Sequence, residues 1–173
     1  MSNRTGLVDD QQAVIRRRQV PSRRRRNGLL RFANNLTSQN GEDGILDYLF
    51  SNVFRSDDNS NQHKTRWCVD VGAWDGVHWS NTHSLLTQKT TTTGQANWRG
   101  ILVEANDEKF QQLQALHQPL GNICLPVTVS AQRQSPSSLA FILKQQQQKM
   151  QQNDPESTSN EAIPNGFDFL CID

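Results

Sequence analysis

The sequence predicts an α/β sandwich with a mainly parallel sheet, and three observations predict it. Short apolar runs at residues 67–71, 101–103, 123–129 and 167–172 alternate with stretches whose apolar residues recur at helical spacing. A glycine-bearing turn, VDVGAWDG at residues 69–76, closes the first run, and an acid, Glu104, directly follows the second. Strands separated by helices pair in parallel through right-handed crossovers, which makes a layered α/β fold.

The elements follow in order. Residues 1–36 show no periodicity and read as a disordered arginine-rich arm, and residues 37–173 form the folding unit. After Asn40, the residues Ile45, Leu46, Leu49, Phe50 and Val53 recur at helical spacing, with Glu42 and Asp43 in the first turn, where the helix dipole favours acids. A polar loop at 55–65 leads into the first strand. Ser80 or Asn81 caps the next helix, which carries Leu85 and Leu86. The stretch 87–97, with threonine at 90–93, reads as a low-complexity surface insertion before the second strand. Asn106 caps a helix running to about His117, with Phe110, Leu113 and Leu116 predicted to face inward. Ser135 and Pro136 open the last helix, and its glutamine-rich end (145–148, 151–152) reads as a solvated extension. The fourth strand ends on Asp173. Such a strand is interior in this kind of sheet, so the sequence predicts a domain incomplete at its C-terminus.

Charge is unevenly distributed. The net charge of +1 hides an arm in which nine arginines face only Asp9 and Asp10, while the remainder carries nine basic and 15 acidic residues, a net of -6. That balance argues against a nucleic-acid surface on the folded unit, while the arm can contact an anionic partner. The arm is open to three readings: a solubilising tail, a nuclear-localisation-like cluster, or a tether to an anionic surface. It has no apolar h-region of a secretory signal, and no run approaches the ~18 apolar residues of a membrane span. The three cysteines, Cys68, Cys124 and Cys171, lie in apolar runs without CxxC spacing and read as buried, reduced residues of an intracellular, cytoplasmic protein.

The turn has the physics of a nucleotide site. Gly72 and Gly76 permit close backbone approach, and a helix N-terminus follows. Trp74 and Val77 occupy places where a dinucleotide-binding GxGxxG needs glycine, so a pyrophosphate turn is disfavoured. Asp70, at the end of the strand, repels pyrophosphate and welcomes a cationic, amino-acid-bearing ligand; S-adenosyl-L-methionine is such a ligand. Glu104, at the tip of the second strand, can accept hydrogen bonds from ribose hydroxyls, although it lies 32 residues beyond Gly72 rather than the usual ~20.

Four stretches in order carry a resemblance: SQNGEDGIL (38–46), CVDVGAWDGVHWSNT (68–82), WRGILVEAN (98–106) and FDFLCID (167–173). Together they resemble the FkbM-type methyltransferases, in particular the branch with SQ-GEDG ahead of the glycine turn and SNT after it. The resemblance implies a Rossmann-like class I methyltransferase sandwich, present as a partial domain over 37–173, that uses S-adenosyl-L-methionine and methylates a hydroxyl or carboxyl oxygen. By that likeness Asp70, Gly72 and Ala73 lie at the methionine end of the cofactor, with Trp74 and Gly76 in the same turn. Glu104 lies at the ribose, and Glu42 and Asp43 close the site. Trp74 departs from the Asn of many members, and the D-x-D-G turn of the branch is represented only by its first acid, Asp173. The methyl acceptor and the catalytic base are not identified by the resemblance.

Other residues carry open alternatives. His78 and His83 read either as a general base pair or as exposed histidines; His63 and His117 read as a loop and a helix-end residue. Trp74 and Trp79 either stack on a ligand or pack the loop, while Trp67 and Trp98 read as core or edge packing. No structural-zinc spacing occurs, although Asp168 with Asp173 could serve a divalent metal in a complete homologue. Two functional alternatives stand beside the enzyme: a non-catalytic methyltransferase-like interaction or trafficking protein, and a nicotinamide-nucleotide binder.

Overall fold

Six residues, Arg66–Val71, form β1 at the centre of the sheet, because their alternation of Trp67, Val69 and Val71 with Cys68 and Asp70 suits a strand covered on both faces. This computed structural model describes residues 28–54, 65–88, 98–153 and 163–172. The threonine run, His63, Asp173 and arm residues 1–27 lie outside the described residues. Around β1 stand β2 (Trp98–Val103), β3 (Ile123–Leu125) and β4 (Phe169–Ile172). All pairings are parallel, in the order β3-β2-β1-β4. The chain is thus an α/β fold on a four-stranded parallel sheet, and the strand order reverses between β1 and β4.

Two apolar layers follow from strand parity. One face of the sheet, with Cys68 and Leu102, packs on α1 (Glu42–Tyr48), α2 (His83–Thr87) and α3 (Asp107–His117) through Leu46, Leu85, Leu86 and Leu113. The other face, with Trp67, Val69, Ile101 and Val103, packs on Ile142 of α4 (Leu139–Asn153) and on Ile163. Gln147, within the glutamine-rich end of α4, donates to the carbonyls of Pro164 and Ile163 and so holds the segment that leads into β4. Among the described residues no helix is long and apolar enough to cross a membrane.

Several boundaries differ from the sequence reading for identifiable reasons. A 3-10 turn, Gly28–Phe32, lies inside the span read as a disordered arm. β2 begins three residues before Ile101; Trp98 is buried there, and Arg99–Gly100 masks the apolar run. β3 stops at Leu125 because Pro126 has no amide to continue the ladder, although Val127 and Val129 still pack on the second layer. Pro136 is not in the first turn of α4. The Ser137 carbonyl accepts the Ser130 amide instead, and the helical bonds start at Ser138, whose carbonyl accepts Ile142 N–H. Leu116 is exposed, and its neighbour His117 is the buried residue. Cys68 and Cys171 are buried and Cys124 half-buried, with no disulfide among them; burial pushes the Cys124 thiol up to about 11.

The GEDG stretch owes its glycines to close packing. Gly41 takes φ +99° at the N-cap of α1, and a Cβ there would lie 2.6 Å from that of Ala33. A Cβ on Gly44 would collide with the Phe32 carbonyl and the Asn34 amide. Gly44→Ala is therefore expected to lower stability by about 1–3 kcal/mol. Gly166→Ala, with open space around it, should change stability little; urea unfolding of both variants checks the contrast.

Candidate functional site

The carboxyl edge of the sheet gathers most of the residues singled out from the sequence. In an open parallel sheet, ligands bind outside the carboxyl ends of the strands where the strand order reverses. The turn after β1 sits at this edge, with Gly72 and Gly76 at φ +85° and +79°. Trp74 is also left-handed, at φ +53°, a conformation that costs about 1–2 kcal/mol for a residue with a side chain.

The amides of the turn are largely occupied. Gly72 and Ala73 N–H both donate to the Val103 carbonyl, and Gly76 N–H to the Ala73 carbonyl. Trp74 N–H donates to Glu104 Oε2 at 2.8 Å. Val77 and His78 N–H donate to Asp75 Oδ1. These six amides already have acceptors within the chain, so they offer no anion cradle of the kind a pyrophosphate requires. The edge exposes the Trp74 and Trp79 indoles and the His78 imidazole, with the carboxylates of Asp70 and Glu104 buried behind them.

Glu104 is 7% exposed and joins the two strand ends, because its Oε1 also accepts Asn106 N–H at 2.7 Å. Each oxygen keeps a second lone pair. Asn106 in turn caps α3, its side chain accepting Lys109 N–H. Asp70 is 1% exposed, and its Oδ2 accepts the Thr82 hydroxyl at 2.6 Å. The N-cap of α2 is Thr82 rather than Ser80 or Asn81, and its hydroxyl is committed to Asp70; Ser80 Oγ, two residues earlier, accepts the amides of Thr82 and His83.

Asp43 joins this edge from α1. Its Oδ2 accepts three consecutive amides, Leu36, Thr37 and Ser38, each at 2.8 Å. Its Oδ1 accepts the Ser84 hydroxyl of α2 at 2.8 Å, and Ser38 Oγ accepts Asp43 N–H in return. Burial opposes its charge, but the Ser38 and Thr37 amides, the Ser84 hydroxyl and the Leu36 amide outweigh it and hold the carboxyl below the ordinary 3.8. Glu42 turns back on its own segment and accepts Asn40 N–H. Asp43 is thus brought to the loop after the turn, whereas the Glu42 carboxylate stays with its own segment at Asn40.

Two histidines hold Gly76, and the sequence reading missed their role. His83 Nδ1 and His117 Nε2 lie 2.8 and 3.1 Å from the Gly76 carbonyl. An acceptor at that position makes both nitrogens N–H donors. His117 Nδ1 then accepts from Asn122 Nδ2. A Cβ on Gly76 would lie 2.6 Å from the His117 ring, so this glycine serves helix packing. Burial lowers both histidine pKa values, partly opposed by the Gly76 carbonyl. Nothing in the sequence spacing announces His117; its polar type at a helix end disguises it.

His78 stands apart, exposed, with Nδ1 2.6 Å from Asp75 Oδ2. Trp74 is 44% exposed with Lys109 Nζ 5.0 Å from its ring centre, and Trp79 is 66% exposed. Asp168 lies elsewhere: it accepts Trp67 N–H beside the start of β1, at the opposite end from the glycine turn. Among the described residues no His, Cys, Asp and Glu group could hold a metal. No family model, curated protein or solved structure matches the chain.

Acidification should lower stability over two pH ranges. A histidine whose folded pKa is depressed stabilises the fold above its unfolded value and loses that contribution as pH falls; for His83 and His117 the loss starts near 6.5. Asp43, also depressed, loses its contribution as pH falls below the ordinary 3.8. Urea unfolding across pH should show both, and Asp43→Asn should reduce the lower one, to which Glu42 and Asp75 also contribute, while costing about 3 kcal/mol at neutral pH.

Proposed function

We propose that the chain binds S-adenosyl-L-methionine at the carboxyl edge of its sheet and acts as an FkbM-type O-methyltransferase on a small-molecule, glycan or lipid-type acceptor. The observation that carries this reading is Glu104 bonded to the glycine turn at Trp74, beside the reversal of strand order. The occupied amides of the turn support it too, because this ligand has no phosphate to bind. A cationic sulfonium and ammonium suit an edge built on Asp70 and Glu104.

The residues present fit such a group. Glu104 would accept the ribose hydroxyls through its remaining lone pairs, and the exposed ring of Trp74 would flank the adenine. Buried Asp70 would contribute negative potential beneath the turn. When bound, the group supplies an electrophilic methyl on a positively charged sulfur. The protein's part is to orient the acceptor oxygen and take up its proton. Asp75 fixes Nδ1 of His78 as a donor, which leaves Nε2 to receive that proton.

One observation favours the second reading, a non-catalytic protein of the same fold: Asp70 and Glu104 already accept donors from the chain itself. Calorimetric titration of S-adenosyl-L-methionine into the full chain separates the two. The enzyme reading expects saturable binding, competed by S-adenosylhomocysteine, with no heat from a nicotinamide dinucleotide. Trp74→Ala should weaken it about tenfold, the scale of one base–aromatic stack. A folded protein that gives no heat contradicts the proposal.

A further inference from the structure

Leu29 and Leu30, in the 3-10 turn that opens the described chain, are 44% and 56% exposed. They directly follow Arg23, Arg24, Arg25, Arg26, Asn27 and Gly28, and precede Arg31. The turn is anchored, since Phe32 stacks on Tyr48 with centroids 3.4 Å apart and the Arg31 guanidinium covers Phe32. Gly44 N–H also donates to the Asn34 carbonyl. The leucines are therefore displayed by a fixed support.

Further exposed apolar surface lies where the same segment meets the loop before α2. Leu36 is exposed and precedes Thr37, whose hydroxyl donates to the Ser80 carbonyl at 3.1 Å. Trp79, directly before Ser80, has φ +58° and is the most exposed of the tryptophans among the described residues. Among the described residues no aromatic or cationic side chain engages its indole. Strained backbone that displays a bulky apolar group is characteristic of contact sites.

We propose that Leu29, Leu30, Leu36 and Trp79 form a docking surface for an anionic lipid bilayer, with the neighbouring arginines drawn to the headgroups. Charge complementarity selects this occupant: nine arginines against two acids over residues 1–36, on a chain whose remainder is net -6. Each basic residue near an anionic leaflet adds attraction, and apolar side chains enter the headgroup boundary. An indole is at home at that depth. A nucleic acid accounts for the arginines alone, since its contacts are dominated by phosphate. The proposal is independent of the cofactor reading.

Co-sedimentation of the full chain with vesicles tests it, comparing phosphatidylcholine alone with phosphatidylcholine containing phosphatidylserine. Binding is expected only with phosphatidylserine and should fall as salt is raised. Leu29→Ser with Leu30→Ser should weaken it about tenfold, from the apolar surface withdrawn. Trp79→Asn should weaken it while melting no lower than the parent, because Asn tolerates the left-handed backbone. Absence of binding, equal binding to neutral vesicles, or binding unchanged in both apolar variants overturns the proposal. So does tighter binding to an RNA duplex at the same salt.

Discussion

Asp43 is buried beneath the N-terminal segment, and its carboxylate takes hydrogen bonds from the amides of Leu36, Thr37 and Ser38 and from the Ser84 hydroxyl. A carboxylate removed from water is costly unless donors surround it, and here the chain folds so that they do. The rest of the carboxyl edge is built outward from that satisfaction. The segment pinned at 36–38 sends the Thr37 hydroxyl to the Ser80 carbonyl, the Ser80 Oγ accepts the His83 amide at the start of α2, and Thr82 reaches Asp70 at the end of β1. α1, α2 and the central strand are thereby linked through polar contacts as well as through the apolar layer around Leu46 and Leu86.

The same device recurs on the opposite side of the turn, where Glu104 ties the end of β2 to Trp74 and Asn106. Buried acids therefore act first as supports at this edge. The groups that face outward are Trp74, His78 and Trp79. That division gives the proposed chemistry a physical form: a rigid, acid-backed turn carries an exposed ring and an imidazole whose tautomer Asp75 selects. Gly76 belongs to the support, since its carbonyl is held by ring nitrogens of two histidines and its missing side chain admits the His117 ring.

Much of this was legible in the sequence, and the misses have causes. Strand–helix alternation, the glycine turn, the Asn106 cap and the acids at the strand ends all follow from local pattern, and the structure contains each of them. Local pattern does not report which donors reach a buried acid. Ser84 lies 41 residues from Asp43, and Trp74 lies 30 from Glu104. For the same reason Leu116 and His117 were exchanged: hydropathy alone points the leucine inward, whereas the Gly76 carbonyl and Asn122 give the histidine polar partners inside. Pro126 ended a strand that the valines beyond it appeared to extend, and Arg99–Gly100 concealed the start of β2. SQNGEDG reads as a ligand motif by resemblance, while its contacts are those of a clamp.

In the proposed function, the turn after β1 and the acid after β2 form one site for a phosphate-free nucleoside. Amide chemical-shift mapping of the full chain with S-adenosylhomocysteine examines it most directly. The largest shifts are expected at Trp74, Glu104 and Asn106, with little change at Asp168 or along the outer face of α3. Shifts confined to residues away from the carboxyl edge, or none at saturating ligand, would contradict it.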